Sequence, residues 1–189
     1  GDQLAAATTV EGNAGTDVIH LTTADTTIAD ADFTDVAEFE TLTLTGASTA
    51  VLGTEAAAAG FETATGTIQT GTGATSITAA DSKHFTIDAA SLANGTALTL
   101  ADSGTSNFTV TNLKGDLVST TLAGTLAVTT AENTNDNDID IQTSVAATYV
   151  TTTASQANNA DTVRIDAENL ADDTNLPIND NVAGNGSAG

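Results

Sequence analysis

The sequence contains no cysteine, no methionine and no tryptophan, and only one proline and one tyrosine among its 189 residues. Without cysteine there is no disulfide framework, so packing and backbone hydrogen bonds must hold the fold. Aromatic residues amount to 3 %, which argues against a thick core built on large rings. Val, Ile, Leu, Ala and Thr methyl groups have to fill it instead. Positive charge is scarce too: Lys83, Lys114 and Arg164 stand against 25 acidic residues, for a formal charge of −22. Nucleic acid and anionic membrane surfaces would be repelled, which excludes both as partners. No apolar run reaches the length that crosses a bilayer, so membrane insertion is not expected. The opening Gly1-Asp2-Gln3-Leu4 shows no basic stretch followed by an apolar one, hence no secretory signal, and the chain reads as a piece of a longer protein.

Threonine, by contrast, makes up about a fifth of the chain. Thr and Val form helices poorly and strands well. Short alternating segments recur at intervals of roughly ten residues, as in all-β domains. They cover 41–45, 67–69, 75–78, 85–88, 98–100, 108–111, 117–119, 126–129, 139–142, 148–151, 163–166 and 176–178. Turn chemistry separates them at Asn94-Gly95, Ser103-Gly104, Lys114-Gly115-Asp116 and Ala123-Gly124. Pro177 lies near the end, outside the body of the sheet. One helical turn is expected, Glu55 to Ala59 capped by Gly60.

These segments are organised by an internal repeat. Ile68-Gln69-Thr70 recurs as Ile141-Gln142-Thr143, an offset of 141 − 68 = 73, and Ile77 then matches Val150. Past an insertion inside Thr152–Ala160, Phe85-Thr86-Ile87-Asp88-Ala89 matches Val163-Arg164-Ile165-Asp166-Ala167 at 163 − 85 = 78. Apolar spacing survives while a polar run absorbs the extra residues, as when strands are fixed in a core and loops are not. A repeat of this length holds three coils of roughly 24 residues. The fold expected is therefore all-β, a parallel β-solenoid of stacked short strands, with an antiparallel β-sandwich as the alternative. Residues 1–11 form an edge segment, 12–178 the β-repeat domain, containing the copies 68–100 and 141–178, and 179–189 a linker or the start of a further repeat.

The acids are clustered, which suits divalent cations, since hard ions take several oxygen ligands. One cluster holds Asp30, Asp32 and Asp35. Another is Glu132 to Asp140: with Ile139 and Ile141 inward, Asp138 and Asp140 share the outer face, Asp136 is in phase and Asn135 adds a carbonyl. Carboxylates at period two repel one another unless a cation or solvent intervenes.

The segment Asp32 to Gly46, and the Thr/Ala-rich run from Phe108 to Thr130, resemble sequences of bacterial surface-layer proteins, hemolysin-type (RTX) secreted proteins and giant adhesins. That resemblance implies a secreted, calcium-associated module at the cell surface, exported by a type I route. The family's calcium nonapeptide is matched at Gly12, Gly15, Asp17 and Ile19, and departed from at Asn13. Asp17 would then supply charge to a cation held between successive coils.

Catalysis finds little in the sequence. His20 and His84 are the only histidines, and no nucleophile elbow, zinc motif or phosphate loop is present. The chain is read as a structural module and not an enzyme: a surface-layer lattice or self-assembling filament stabilised by calcium, with self-association as its partner interaction. The alternatives are a giant-adhesin segment or a module that binds a cell-surface glycan, for which aromatic platforms are few. A polysaccharide-acting enzyme on a β-helix would require Lys83, Lys114 or Arg164 to lie in a cleft with acids. Rows such as Thr41, Thr43 and Thr45 look too irregular for ice binding. Asn94-Gly95-Thr96, Asn107-Phe108-Thr109 and Asn185-Gly186-Ser187 fit the N-glycosylation pattern.

Overall fold

The computed structural model describes residues 9–24, 26–119, 121–131, 138–153 and 162–180. Stretches with an apolar side chain at every second position become strands, because the pleat sends alternate residues to opposite faces. In chain order they are β1 (Val10–Glu11), β2 (Val18–His20), β3 (Thr26–Ile28), β4 (Val36–Ala37), β5 (Thr41–Thr43), β6 (Ser48–Leu52), β7 (Thr67–Gln69), β8 (Thr75–Ala79) and β9 (Phe85–Asp88). The second half adds β10 (Ala97–Asp102), β11 (Phe108–Leu113), β12 (Asp116–Val118), β13 (Leu126–Thr130), β14 (Ile139–Gln142), β15 (Thr148–Thr152), β16 (Val163–Asp166) and β17 (Ile178–Asp180).

Successive strands alternate between two sheets. One runs β2-β5-β7-β9-β11-β13-β15-β17 and the other β3-β6-β8-β10-β12-β14-β16, while β1 and β4 pair at one corner. All described pairings are parallel. The protein is thus a two-sheet parallel β-solenoid. An antiparallel sandwich is ruled out, because strands one coil apart pair in the same direction. Coils range from 126 − 108 = 18 residues to 178 − 150 = 28, around the expected two dozen. The strands hold their register and the corners absorb the difference.

One aliphatic side chain per coil stacks inside the eight-stranded sheet: Ile19, Leu42, Ile68, Ile87, Val110, Val128, Val150 and Ile178 are successive register partners. Inside the other sheet Leu98, Leu117, Ile141 and Ile165 do the same. Most of these are fully buried, at 0–2 % exposure for Leu42 through Val150, and packing between the two inner faces supplies the main stabilising term. The rings sit deep within it: Phe33 and Phe61 meet edge to face at 5.3 Å, and Phe108 is the register partner of Phe85 one coil away, both buried.

The repeated Ile68-Gln69-Thr70 and Ile141-Gln142-Thr143 fall in opposite sheets, on β7 and β14, so the offset spans three and a half coils. Both sheets carry the same pattern, aliphatic inward and polar outward, and a half-coil shift therefore preserves the likeness. Thr70 and Thr143 follow their strands into equivalent corners. Both are buried, with hydroxyls that meet no hydrogen-bond partner.

The expected helical turn forms at Thr54–Ala56 and widens into Ala57–Phe61. Gly60 lies within it at φ 123, and a Cβ there would stand 2.1 Å from the Phe39 carbonyl oxygen. Only glycine fits that contact. Thr41 and Thr67 are register partners, as are Thr86 and Thr109, and the register of Ile68 against Ile87 aligns the two pairs in one outer column. The neighbouring column is interrupted by Gln69 and Asp88, so the regular double row that ice binding requires is not formed.

Candidate functional site

The N-terminal turn Gly12–Asp17 is stitched to the coil above it. The Asp17 amide donates to Glu40 Oε2 at 2.7 Å, and the Asp17 carbonyl accepts from the Glu40 and Thr41 amides at 3.2 and 3.1 Å. Gly12 sits so close to the Glu38 carbonyl that a Cβ would come within 2.0 Å of its oxygen. Asp17 Oδ2 is buried there with no hydrogen-bond partner, and among the described residues it is the one carboxylate oxygen in that condition. Burying an unpaired charged oxygen costs free energy unless a donor or cation reaches it. The donor set in that turn, the Asp17 and Glu40 carboxylates with nearby backbone carbonyls, is chemically suited to a hard cation. No three acidic or histidine side chains converge to hold a metal unaided among the described residues, so carbonyls would have to complete the shell.

The other acids singled out by sequence have different surroundings. Asp30 Oδ1 accepts the Gly53 and Ala56 amides at 2.6 and 2.9 Å, and Oδ2 accepts the Glu55 amide at 3.1 Å. It caps, from the preceding coil, the amides that a helix start leaves unpaired. Asp81 reaches the same turn from the following coil, accepting the Thr54 amide and hydroxyl. Asp32 Oδ2 accepts the Ala29 amide at 2.9 Å, and Asp35 is exposed. Asp30, Asp32 and Asp35 are thus near in sequence, yet two of them serve backbone amides, Asp30 across one coil and Asp32 locally. Asp138 Oδ1 accepts the Thr162 amide at 3.1 Å. Asn135 and Asp136 lie outside the described residues.

Asp140 opens onto a groove in the outer face of the seven-stranded sheet. Its carboxylate pairs with Arg164 Nη1 at 3.2 and 3.4 Å, and its amide donates to Asp116 Oδ1 at 3.0 Å. β12, β14 and β16 each place an outward pair around an inward aliphatic residue: Asp116 and Val118, Asp140 and Gln142, Arg164 and Asp166. Together with Ala97 they line a groove of about 620 Å³. Farther along the same face, Thr27, Thr49, Ser76 and Thr99 border a second concavity of about 370 Å³ that shares Ala97. Asp116, Gln142 and Asp166 were not flagged by sequence. The signal was the matching triplets Asp-Leu-Val, Asp-Ile-Gln and Arg-Ile-Asp, which recur at a constant spacing, 141 − 117 = 165 − 141 = 24.

Arg164 therefore lies in a cleft with acids, the arrangement that the enzyme reading asked for, whereas Lys83 pairs with Glu62 at 3.4 Å elsewhere. Arg164 is bonded to Asp140 and both side chains are well exposed, at 72 % and 56 %. Beside that pair the groove is lined by Asp116, Gln142 and Asp166. Tyr149, half exposed, is on the opposite sheet. Compared with protein-family models, with curated proteins and with solved structures, the chain matches none.

Proposed function

We propose that the chain is a structural module of a secreted bacterial cell-surface protein, of the surface-layer or giant-adhesin kind, stabilised by calcium and able to self-associate. The observation that carries this reading is the burial gradient along the solenoid. Ile141 and Val150 are 1 % exposed, but in the last coil Val163, Ile165, Leu170 and Leu176 are only half-buried and Ile178 is 54 % exposed. The outer edges of β16 and β17 have no strand beside them among the described residues. Such an end offers unpaired strand edges and apolar surface on which another copy can stack.

Calcium enters through charge. At −22, coils that stack acid over acid repel, and a divalent ion between them removes that repulsion. Asp17 and Glu40, with their buried free oxygen, are the residues that would hold one such ion.

The experiment is a thermal melt followed by far-UV circular dichroism in millimolar calcium, in chelator, and in sodium chloride of matched ionic strength, with sedimentation of each sample. A melting temperature raised by calcium beyond the sodium control, together with faster sedimentation, supports the reading through linkage of the ion to the folded and assembled states. Identical melts in calcium and chelator would remove calcium from it. Unchanged sedimentation would remove self-association.

A further inference from the structure

The two concavities on the seven-stranded sheet form one trough along the solenoid. Thr27, Thr49, Ser76, Thr99, Val118, Gln142 and Asp166 are successive register partners. At a strand separation of about 4.8 Å, those six steps span about 29 Å. The trough exists because the adjoining positions on its N-terminal side, Ala47, Ala74 and Ala97, have nothing beyond Cβ. Its N-terminal half presents hydroxyls. Its C-terminal half presents three carboxylates, one carboxamide and one guanidinium.

We propose that this trough binds a linear oligosaccharide carrying free amino groups. Carboxylates alone would mark no more than a solvated face, but here they continue a long concave track of evenly spaced hydroxyls. Thr27, Thr49, Ser76 and Thr99 recur one per coil at about the length of a sugar ring, and past the apolar Val118 the column continues in Gln142 and Asp166; planar carboxylate, carboxamide and guanidinium groups pair well with vicinal hydroxyls.

The charge selects the class. Asp116, Asp140 and Asp166 outnumber Arg164, whose guanidinium is already bonded to Asp140. Uronate or sulfated chains would be repelled, while ammonium groups would be drawn in. A peptide laid along the trough would run across the strands and not beside them, so it could not add as a strand; the sheet's free edges, β3 and β16, lie only at the two ends. The proposal does not depend on calcium or on assembly.

Isothermal titration of the protein with a glucosamine hexamer at low salt tests it, with the N-acetylglucosamine hexamer and hexalysine as comparators. Saturable binding of the glucosamine hexamer, tighter than that of both comparators, is expected. Asp140→Asn combined with Asp166→Asn should weaken it by roughly tenfold or more, the scale of lost charge-assisted hydrogen bonds. Arg164→Gln should strengthen it by removing a like charge. Thr99→Val should weaken the sugar and leave hexalysine unchanged. Absence of binding, equal affinity for the acetylated hexamer, or indifference to the Asp variants would each overturn the proposal. Hexalysine binding as tightly as the sugar would reassign the trough to unspecific attraction by its acids.

Discussion

At the scale of single residues, several of the acids do structural work that their clustering concealed. Asp30 holds three amides of the Gly53–Ala56 turn across one coil. Removing it leaves those donors unpaired in a partly buried place, and Asp30→Ala should cost about 2–3 kcal/mol in urea denaturation. Asp30→Asn, which keeps one acceptor, should lose less. Equal stability of Asp30→Ala and the parent would show that solvent satisfies the turn. The Arg164–Asp140 pair contrasts with this: both partners are well exposed, so it stabilises the fold little, and its interest lies in what it offers a ligand. Asp17 differs from both. Its Oδ2 is enclosed without a donor, which is why it is the residue proposed to hold a cation.

At the scale of elements, the aliphatic ladder sets what each coil contributes. Ile87 is fully buried between Ile68 and Val110, and Ile87→Ala should cost about 2–5 kcal/mol through lost burial and the cavity left behind. Ile178 sits at the end of the same ladder and is 54 % exposed, so Ile178→Ala should cost less than about 1 kcal/mol in the isolated chain. Comparable losses at the two positions, measured by chemical denaturation, would contradict the gradient of burial. Strands were the most legible part of the sequence. Residues 67–69, 85–88, 139–142 and 163–166 form strands with the bounds their alternation predicted. β3 and the 3-10 turn Asp30–Phe33 were not foreseen, and β6 was passed over because Ser48-Thr49-Ala50-Val51-Leu52 carries only small side chains for most of its length.

At the scale of the whole molecule, charge and shape act together. A −22 chain wound into stacked coils carries its acids on a limited surface, with Asp116 and Asp140 on adjacent strands, and monovalent salt screens them. Raising sodium chloride from low concentration to about 0.5 M should lift Tm by about 2–4 °C, corresponding to about 1 kcal/mol of relieved repulsion in a chain of this length. A flat response would place the acids too far apart, or too well hydrated, to matter. A calcium effect larger than this screening is what separates a bound ion from an ionic atmosphere.

The sequence by itself determined the class of fold. Period-two alternation, threonine-rich strands and glycine turns admit little but an all-β fold; they left an antiparallel sandwich open beside the solenoid, and parallel pairing between coils decided it. What it could not determine was which outward residues meet. Asp116, Asp140 and Arg164 recur every 24 residues, yet that spacing alone does not show that they share one outer face, and nothing along the chain shows Asp30 reaching the Gly53 turn. Outward neighbours are decided by register between coils. Register is set by the packing of the inward ladder, and that packing exists only in three dimensions.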